Sequence, residues 1–588
     1  MMHTGTHTLT SDTLIWSNYM PVVSYEQVKV LCKQKRLKDA LQCIFSAHRQ
    51  GFQILPDSIA ETLLLCAHMK TIEEGRELHE LVREKHVKPN RYLNNNLLNM
   101  YLKCGSLDEG KQVFEEMLIR DVVSWNAMIA GYVKSGYACQ AVELFWRMQQ
   151  ESIEPNEKTF ICVLMACAPP VSIEEAALIH TFLSMYSFES DIHVGNALIG
   201  MYLNFRLLND AYFVFKHMTM KDVVMWTSMI TGYSDNGRWD EALNLFQRML
   251  QESVIPDEVI FLSVLSACAS LYSLRFGLMV HSIIINAGID LNPFIGSSLI
   301  NMYAKCGNLH LVHRVFEQIP FKDTVLWTAI VSGYEQQSEY GKALQVFDDM
   351  LATSINPNEF TFVSVLNACT GVASLDLGMI VYSNIVESGI ECNMHIASAL
   401  IDMYGKCGNE EDMCAVFVCL PITDTVVWNA IIDGLAQHGN SESTFQYFKQ
   451  MKHHGLEVDS MTFVGLLSAC NHAGLVDEGL YYFYSMLVDD EIKPSIEVYV
   501  CLIDILGRAG QLESAYALTW KLPLEYSMSL YTPLLSSCRI HSNLDVATRV
   551  GESMIKLHPQ RESTYVLLSN VHALKPMRAA LGTFDFDS

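Results

Sequence analysis

Basic residues are scarce in this 588-residue chain: 40 Lys and Arg stand against 65 Asp and Glu, a formal charge of −25. Indiscriminate nucleic-acid binding by counterion release needs clustered cations, so a histone-like binder is excluded, whereas a local polar groove that reads bases is not. No run approaches the roughly 18 consecutive apolar residues of a membrane span. The seventeen cysteines are odd in number and no two stand at C-x-x-C spacing. Small buried thiols on helices, in a reducing compartment, explain them better than a disulfide framework or a zinc site. Phosphate loop, HExxH and Ser nucleophile elbow are all missing. Residues 1–28 hold no Lys or Arg, so they lack the Arg-rich character of an organelle transit peptide, although they carry several Thr and Ser and few acids.

What is present is apolar and periodic. Half the residues are hydrophobic, so nearly every segment can bury a face and the chain is not disordered. Residues 302–309 read MYAKCGNL; MYLKCGSL stands at 100–107, MYGKCGNE at 403–410 and a worn copy, MYLNFRLL, at 201–208. WNAM, WTSM, WTAI and WNAI begin at Trp125, Trp226, Trp327 and Trp428. Both phrases recur every 101 residues. Cys167, Cys268, Cys369 and Cys470, inside LMAC, LSAC, LNAC and LSAC, keep the same beat.

Each period divides into units of 35, 35 and 31 residues, as at 122–156, 157–191 and 192–222. In the first, Trp125, Met128, Ile129 and Tyr132 mark one helical face and Gly136 a stop. Ala141, Leu144, Phe145 and Met148 mark a second helix, which Pro155 prevents from running on. Neither helix of such a hairpin buries its stripe alone, so neighbouring units must stack. The spacing predicts an all-α fold: a right-handed α-solenoid superhelix of stacked helix-turn-helix repeats. Gly105, Gly307 and Gly408 of the KCG phrases are predicted to close first helices in the left-handed conformation. The large Trp residues are expected in the core. His310 with His313, and His453 with His454, are expected at the surface or in packing, with no ligand set for a metal.

Helical hairpins of 35 residues ending in Pro-Asp or Pro-Asn, interleaved with 35- and 31-residue variants, resemble the plant pentatricopeptide-repeat family, specifically its P-L-S subclass. The resemblance covers roughly residues 21–561. It implies P-type units at 122–156, 223–257, 324–358 and 425–459. L-type units fall at 56–90, 157–191, 258–292 and 359–393, and S-type units at 91–121, 192–222, 293–323 and 394–424. A degenerate P-type unit falls at 21–55, and terminal variants at 460–495 and 496–527. The implied organisation is an N-terminal segment 1–20, targeting or disordered; a repeat array 21–527; an E-type extension 528–573 whose second half, begun at YVLLSNVHA (565–573), is cut short; and a divergent tail 574–588. Family members that edit RNA by themselves carry a deaminase-like domain with an H-x-E acid/base and a P-C-x-x-C zinc pair. Neither string occurs here, so no enzymatic activity and no cofactor are expected of this chain.

In this family one base is read per helical repeat. The resemblance assigns readout to the fifth residue of each unit, on the concave face, and to the last residue, an Asp or Asn. The implied pairs are Asn95 with Asp121 for U, Asn126 with Asn156 for a pyrimidine, Asn196 with Asp222 for U, and Thr227 with Asp257 for G. Ser297 with Asp323 implies G, Thr328 with Asn358 A, Ser398 with Asp424 G, and Asn429 with Asp459 U. Ile161, Leu262, Val363 and Val464 occupy the fifth position of L-type units and cannot hydrogen-bond a base. Apolar second residues such as Val123, Val224, Val325 and Val426 can wedge between bases. The implied partner is single-stranded organellar RNA containing 5′-UYNUGNGANGU. In an editing factor the target cytidine would lie four nucleotides past the base under 496–527.

An Asp or Asn ahead of a helix is also an ordinary N-cap, worth about 1 kcal/mol without any ligand. Capping gives no reason, however, for fifth residues that are only Asn, Thr or Ser in eight units and only apolar in the L-type ones. The resemblance implies a C-to-U editing site-recognition factor of the mitochondrion, slightly preferred, or the chloroplast, recruiting a deaminase-bearing protein in trans through 528–573, with no membrane partner. The alternatives are stabilisation or splicing of an organellar transcript, or a protein-binding helical-repeat scaffold, which the acidic charge favours.

Overall fold

The computed structural model of the chain describes residues 25–50, 54–86, 90–186, 188–420, 424–519 and 527–557. The expectations for 1–20, 565–573 and 574–588 lie outside the described residues. Those residues contain α-helices from Tyr25–Lys33 to Leu544–Leu557 and no strand. None of the helices is long and apolar enough to cross a membrane. The fold is therefore all-α, as the periodicity predicts.

Local chemistry sets where each helix begins. The last Asp or Asn of a unit is the N-cap of the next unit's first helix. Asp121 accepts from the backbone N–H of Val123 and Ser124 ahead of Val122–Lys134, and Asn156 from that of Thr159 ahead of Glu157–Ala166. Asp222, Asp323, Asp424 and Asp459 cap in the same way. Each such cap contributes about 1 kcal/mol. First helices of the KCG units close as expected, with φ of +86° at Gly105, +73° at Gly307 and +83° at Gly408.

Second helices end before the proline is reached. Ala138–Gln150 stops well short of Pro155. The stop is Ser152, left-handed at φ +56°, with the Ile153 N–H returning to the Met148 carbonyl. Ser253, Ser354 and Gly455 repeat it at φ +59°, +58° and +71°. The proline only fixes the extended chain that leads to the next cap.

The described residues form two compact units, divided between Ala267 and Cys268. In each, helices pair within a hairpin and first helices lie against the first helices of neighbouring hairpins: Arg91–Lys103 packs on Val122–Lys134, and Met394–Lys406 on Thr425–Gln437. Trp125, Trp226, Trp327 and Trp428 are all buried. Each meets a phenylalanine of the preceding second helix edge to face, Phe114, Phe215, Phe316 and Phe417, with every centroid separation 4.8 Å. The tryptophans are therefore core, as expected, and not platforms for bases. Cys167, Cys268, Cys369 and Cys470 are buried free thiols, and burial pushes each up to about 12.

Two packing devices have the 101-residue period without being evident from composition. Gly131 and Gly333 let adjacent first helices approach: a Cβ on Gly131 would stand 2.6 Å from Leu102 Cδ2, and one on Gly333 3.1 Å from Ala304 Cβ. His79, His180 and His281 meet Tyr101, Tyr202 and Tyr303 across unit boundaries, ring nitrogen to hydroxyl, at 2.8, 2.6 and 2.8 Å. Burial lowers all three imidazoles from their usual range, so they stay neutral in the fold. His310, His313, His453 and His454 are exposed, and His454 lies against Trp428. Among the described residues no group of three His, Cys, Asp or Glu could hold a metal.

Candidate nucleic-acid interface

The first helix of each unit places residues two, five, nine and thirteen on one side, because three- and four-residue steps return to the same helical face. Residue five is half-buried in every unit singled out from the sequence: Asn95, Asn126, Asn196, Thr227, Ser297, Thr328, Ser398 and Asn429. Ile161, Leu262, Val363 and Val464 are half-buried at the same step. None of these twelve is sealed in the core.

The structure brings six of the eight fifth residues onto their unit's last residue. Asn95 Nδ2 donates to Asp121 at 3.2 Å, Asn126 Nδ2 to Asn156 at 3.0 Å and Asn196 Nδ2 to Asp222 at 3.1 Å. Thr227 Oγ1 donates to Asp257 at 3.1 Å, Thr328 Oγ1 to Asn358 at 3.4 Å and Asn429 Nδ2 to Asp459 at 3.0 Å. The two serine units are not joined. Ser297 Oγ donates instead to the Phe294 carbonyl at 3.0 Å, and no hydrogen bond links Ser398 to Asp424. Thr227 and Thr328 also bond carbonyls of their own helices, at Val223 and Thr324, and still reach the last residue of the unit.

Capping and pairing thus coexist in one side chain. Asp121 Oδ1 takes the Val123 and Ser124 N–H groups and also the Asn95 amide. The fixed pair presents a fixed set of leftover groups. Each asparagine amide has two N–H bonds and spends one on its partner, while each carboxylate has lone pairs to spare. An N–H donor beside a carboxylate acceptor matches uracil's O4 acceptor beside its N3–H. At Asn126 the partner is an amide, so Asn156 adds a donor where Asp would accept. The inner ends of the asparagines differ as well. Thr159 and Thr462 donate to Asn126 and Asn429 Oδ1, each at 2.7 Å, whereas Asn95 and Asn196 Oδ1 are buried without a partner.

The second residues flank these pairs. Val123, Val224, Val325 and Val426 are exposed as expected, and so are Tyr92, Val259, Phe294, Phe360 and Met461 at the same step. A cleft of about 790 Å³ beside Asn95 and Asp121 has Tyr92 and Val123 among its walls. Counting from each N-cap places these five at the same step as the four valines. Residue thirteen supplies charge that the net −25 hides: Lys103, Lys134, Lys305 and Lys406 end their first helices, as does Arg508. Residue nine is acidic at Asp402, Asp433 and Asp504. Burial raises the Asp433 carboxyl, with Asp402 adding to it, against the Gln437 hydrogen bond and the nearby Lys406 and His472.

Stacked helical hairpins, six of which tie their fifth residue to their last, define a helical-repeat protein. The chain belongs to the pentatricopeptide-repeat family. A family model described as PPR repeat family matches residues 120–168, 221–270, 322–371 and 423–472, and one described as PPR repeat matches 95–122 and 297–322. Pentatricopeptide repeat-containing protein At5g27110 of Arabidopsis thaliana is 34% identical over 566 residues, 96% of this chain and 81% of its own length. The mitochondrial pentatricopeptide repeat-containing protein At2g03380 of the same plant is 32% identical over 572 residues, 96% and 82% of the two chains. Among solved structures, the pentatricopeptide repeat protein PPR10 from maize is similar in fold, with a TM-score of 0.56, 15% identity and coverage of 95% of this chain and 92% of its own. PPR10 in complex with an 18-nt psaJ RNA element gives a TM-score of 0.55 at 17% identity, covering 96% and 85%.

Proposed function

We propose that this chain is a sequence-specific single-stranded RNA-binding protein of a plant organelle, of the P-L-S subclass, that selects a C-to-U editing site and recruits a deaminase in trans through 528–573. The observation that carries the RNA-binding part is the pairing of fifth and last residues in six units. Side chains that needed only to cap would have no use for that partner. Exposed apolar second residues suit stacking against unpaired bases, and the cations at step thirteen suit phosphates. PPR10, similar in fold, has been solved with RNA, and relatives of 31–32% identity are named mitochondrial or chloroplastic. Sixteen residues make up the proposed readout: Asn95, Asp121, Asn126, Asn156, Asn196, Asp222, Thr227, Asp257, Ser297, Asp323, Thr328, Asn358, Ser398, Asp424, Asn429 and Asp459. The serine units are the weakest steps, because no hydrogen bond ties their hydroxyls to the partner carboxylate.

A second reading, a protein-binding scaffold, draws on a different surface. Leu178, Met279, Ile380 and Tyr481 stand 101 residues apart on second helices and all are exposed. The two readings separate in the plant. Loss of the gene should abolish C-to-U conversion at one organellar site preceded by UYNUGNGANGU and leave other sites intact. Unchanged editing together with loss of an assembled complex would favour the scaffold.

A further inference from the structure

The 31-residue unit 192–222 departs from its three counterparts at two places on the same face. At step nine it has Gly200 where Asn99, Asn301 and Asp402 stand in the others. At the helix end, the worn phrase replaces Lys-Cys-Gly by Asn204-Phe205-Arg206, so the cation of Lys103, Lys305 and Lys406 reappears two residues later, in the glycine's place. Arg206 takes that turn at φ +58°, a conformation that costs a non-glycine residue about 1–2 kcal/mol.

Both changes meet in one cleft of about 720 Å³, within the range of pockets that enclose a small ligand. Gly200, Asn204 and Arg206 line one wall and Thr227, Thr231 and Asp235 another. A Cβ on Gly200 would meet nothing within 4 Å, so the missing side chain leaves space that no neighbour fills. Arg206 is exposed, and its guanidinium makes no hydrogen bond or ion pair with any described residue, unlike Lys406, whose ammonium is tied to Asp402 at 2.9 Å. Asp235, on the facing wall, repels phosphate and accepts base N–H groups. A phosphate in this cleft is therefore directed towards Arg206.

We infer that this cleft is an anchoring subsite for one purine nucleotide of the bound RNA. The base faced by Thr227 and Asp257 occupies the space over Gly200, and Arg206 grips the adjoining phosphate. The inference rests on the base-reading function proposed above and adds two residues outside its readout set. It makes position five of UYNUGNGANGU the tightest step, through size and charge together.

The test uses the full chain, the RNA 5′-UYNUGNGANGU and a permuted RNA of equal composition. Arg206→Gly relieves the left-handed strain, so its melting temperature should equal or exceed that of the wild type, which separates binding from folding. Its affinity for the RNA should fall about tenfold, and the slope of log affinity against log salt should drop by about one. Gly200→Met should weaken binding of the RNA with G at position five more than that of the same RNA with U there. Unchanged affinity and salt slope in Arg206→Gly, with the wild type still preferring the RNA over its permutation, would overturn the subsite alone. A wild type with no such preference would overturn the base-reading function and the subsite with it.

Discussion

Thr227→Asn moves the preferred base at position five of the site, the fourth readable one, from G towards U. The shift in relative affinity is expected to be on the order of ten- to a hundredfold, from the 1–3 kcal/mol typical of a good base contact. Thr227 has a single hydroxyl hydrogen and offers it to the Val223 carbonyl at 2.8 Å and to Asp257 at 3.1 Å. Only its oxygen lone pairs remain for a base. Asparagine in the same place has two N–H bonds, and Asn429 shows how one is used, donating to Asp459 at 3.0 Å. The second then meets an acceptor, and the Asp257 carboxylate meets a donor, the pattern of uracil. The position is half-buried and not core, so stability should hardly change. Gel shifts with all four bases at position five measure the outcome; an unchanged order of preference would mean that the unit is assigned to the wrong nucleotide.

Trp226→Ala has the largest expected effect on the fold, a loss of about 3–5 kcal/mol. Trp226 is fully buried, and its ring meets Phe215 edge to face at 4.8 Å. Its Nε1 has no hydrogen-bond partner, so the contribution is packing and ring contact and not polar. Repeat arrays lose stability locally, through a unit and its neighbours, so hydrogen exchange over residues 192–257 is a better readout than a single melting curve. Trp226→Phe keeps an aromatic ring and should lose less, with base preference at position five retained. A change of preference without loss of protection would instead make this tryptophan a stacking platform.

The hairpins were legible because two cues coincide in most of them: an apolar stripe with helical spacing, and an Asp or Asn that caps. Trp125 and its counterparts were legible as core by size. Pro155 bars the second helix from running on, but the turn itself falls at Ser152, whose residue type does not announce a left-handed backbone. The joining of Asn126 to Asn156 depends on how one hairpin stacks on the next, and nothing in the spacing of thirty residues dictates a 3.0 Å contact. Ser297 shows the same limit in reverse: its residue type fits the pattern, yet its hydroxyl turns to Phe294. The His–Tyr pairs and the close approach at Gly131 keep the 101-residue beat, so alignment of the periods could have flagged them, though not said what they touch. The second-position stripe was legible by position, although Tyr92, Phe294, Phe360 and Met461 differ in residue type from the valines.

Competition binding between 5′-UYNUGNGANGU and permuted RNAs, across a range of salt concentrations, tests the central claim most directly. Stepwise base reading predicts a preference of about a thousandfold or more at physiological salt, retained as salt weakens both. Equal affinity for the two RNAs at every salt concentration would contradict it and leave the polar pairs with capping alone.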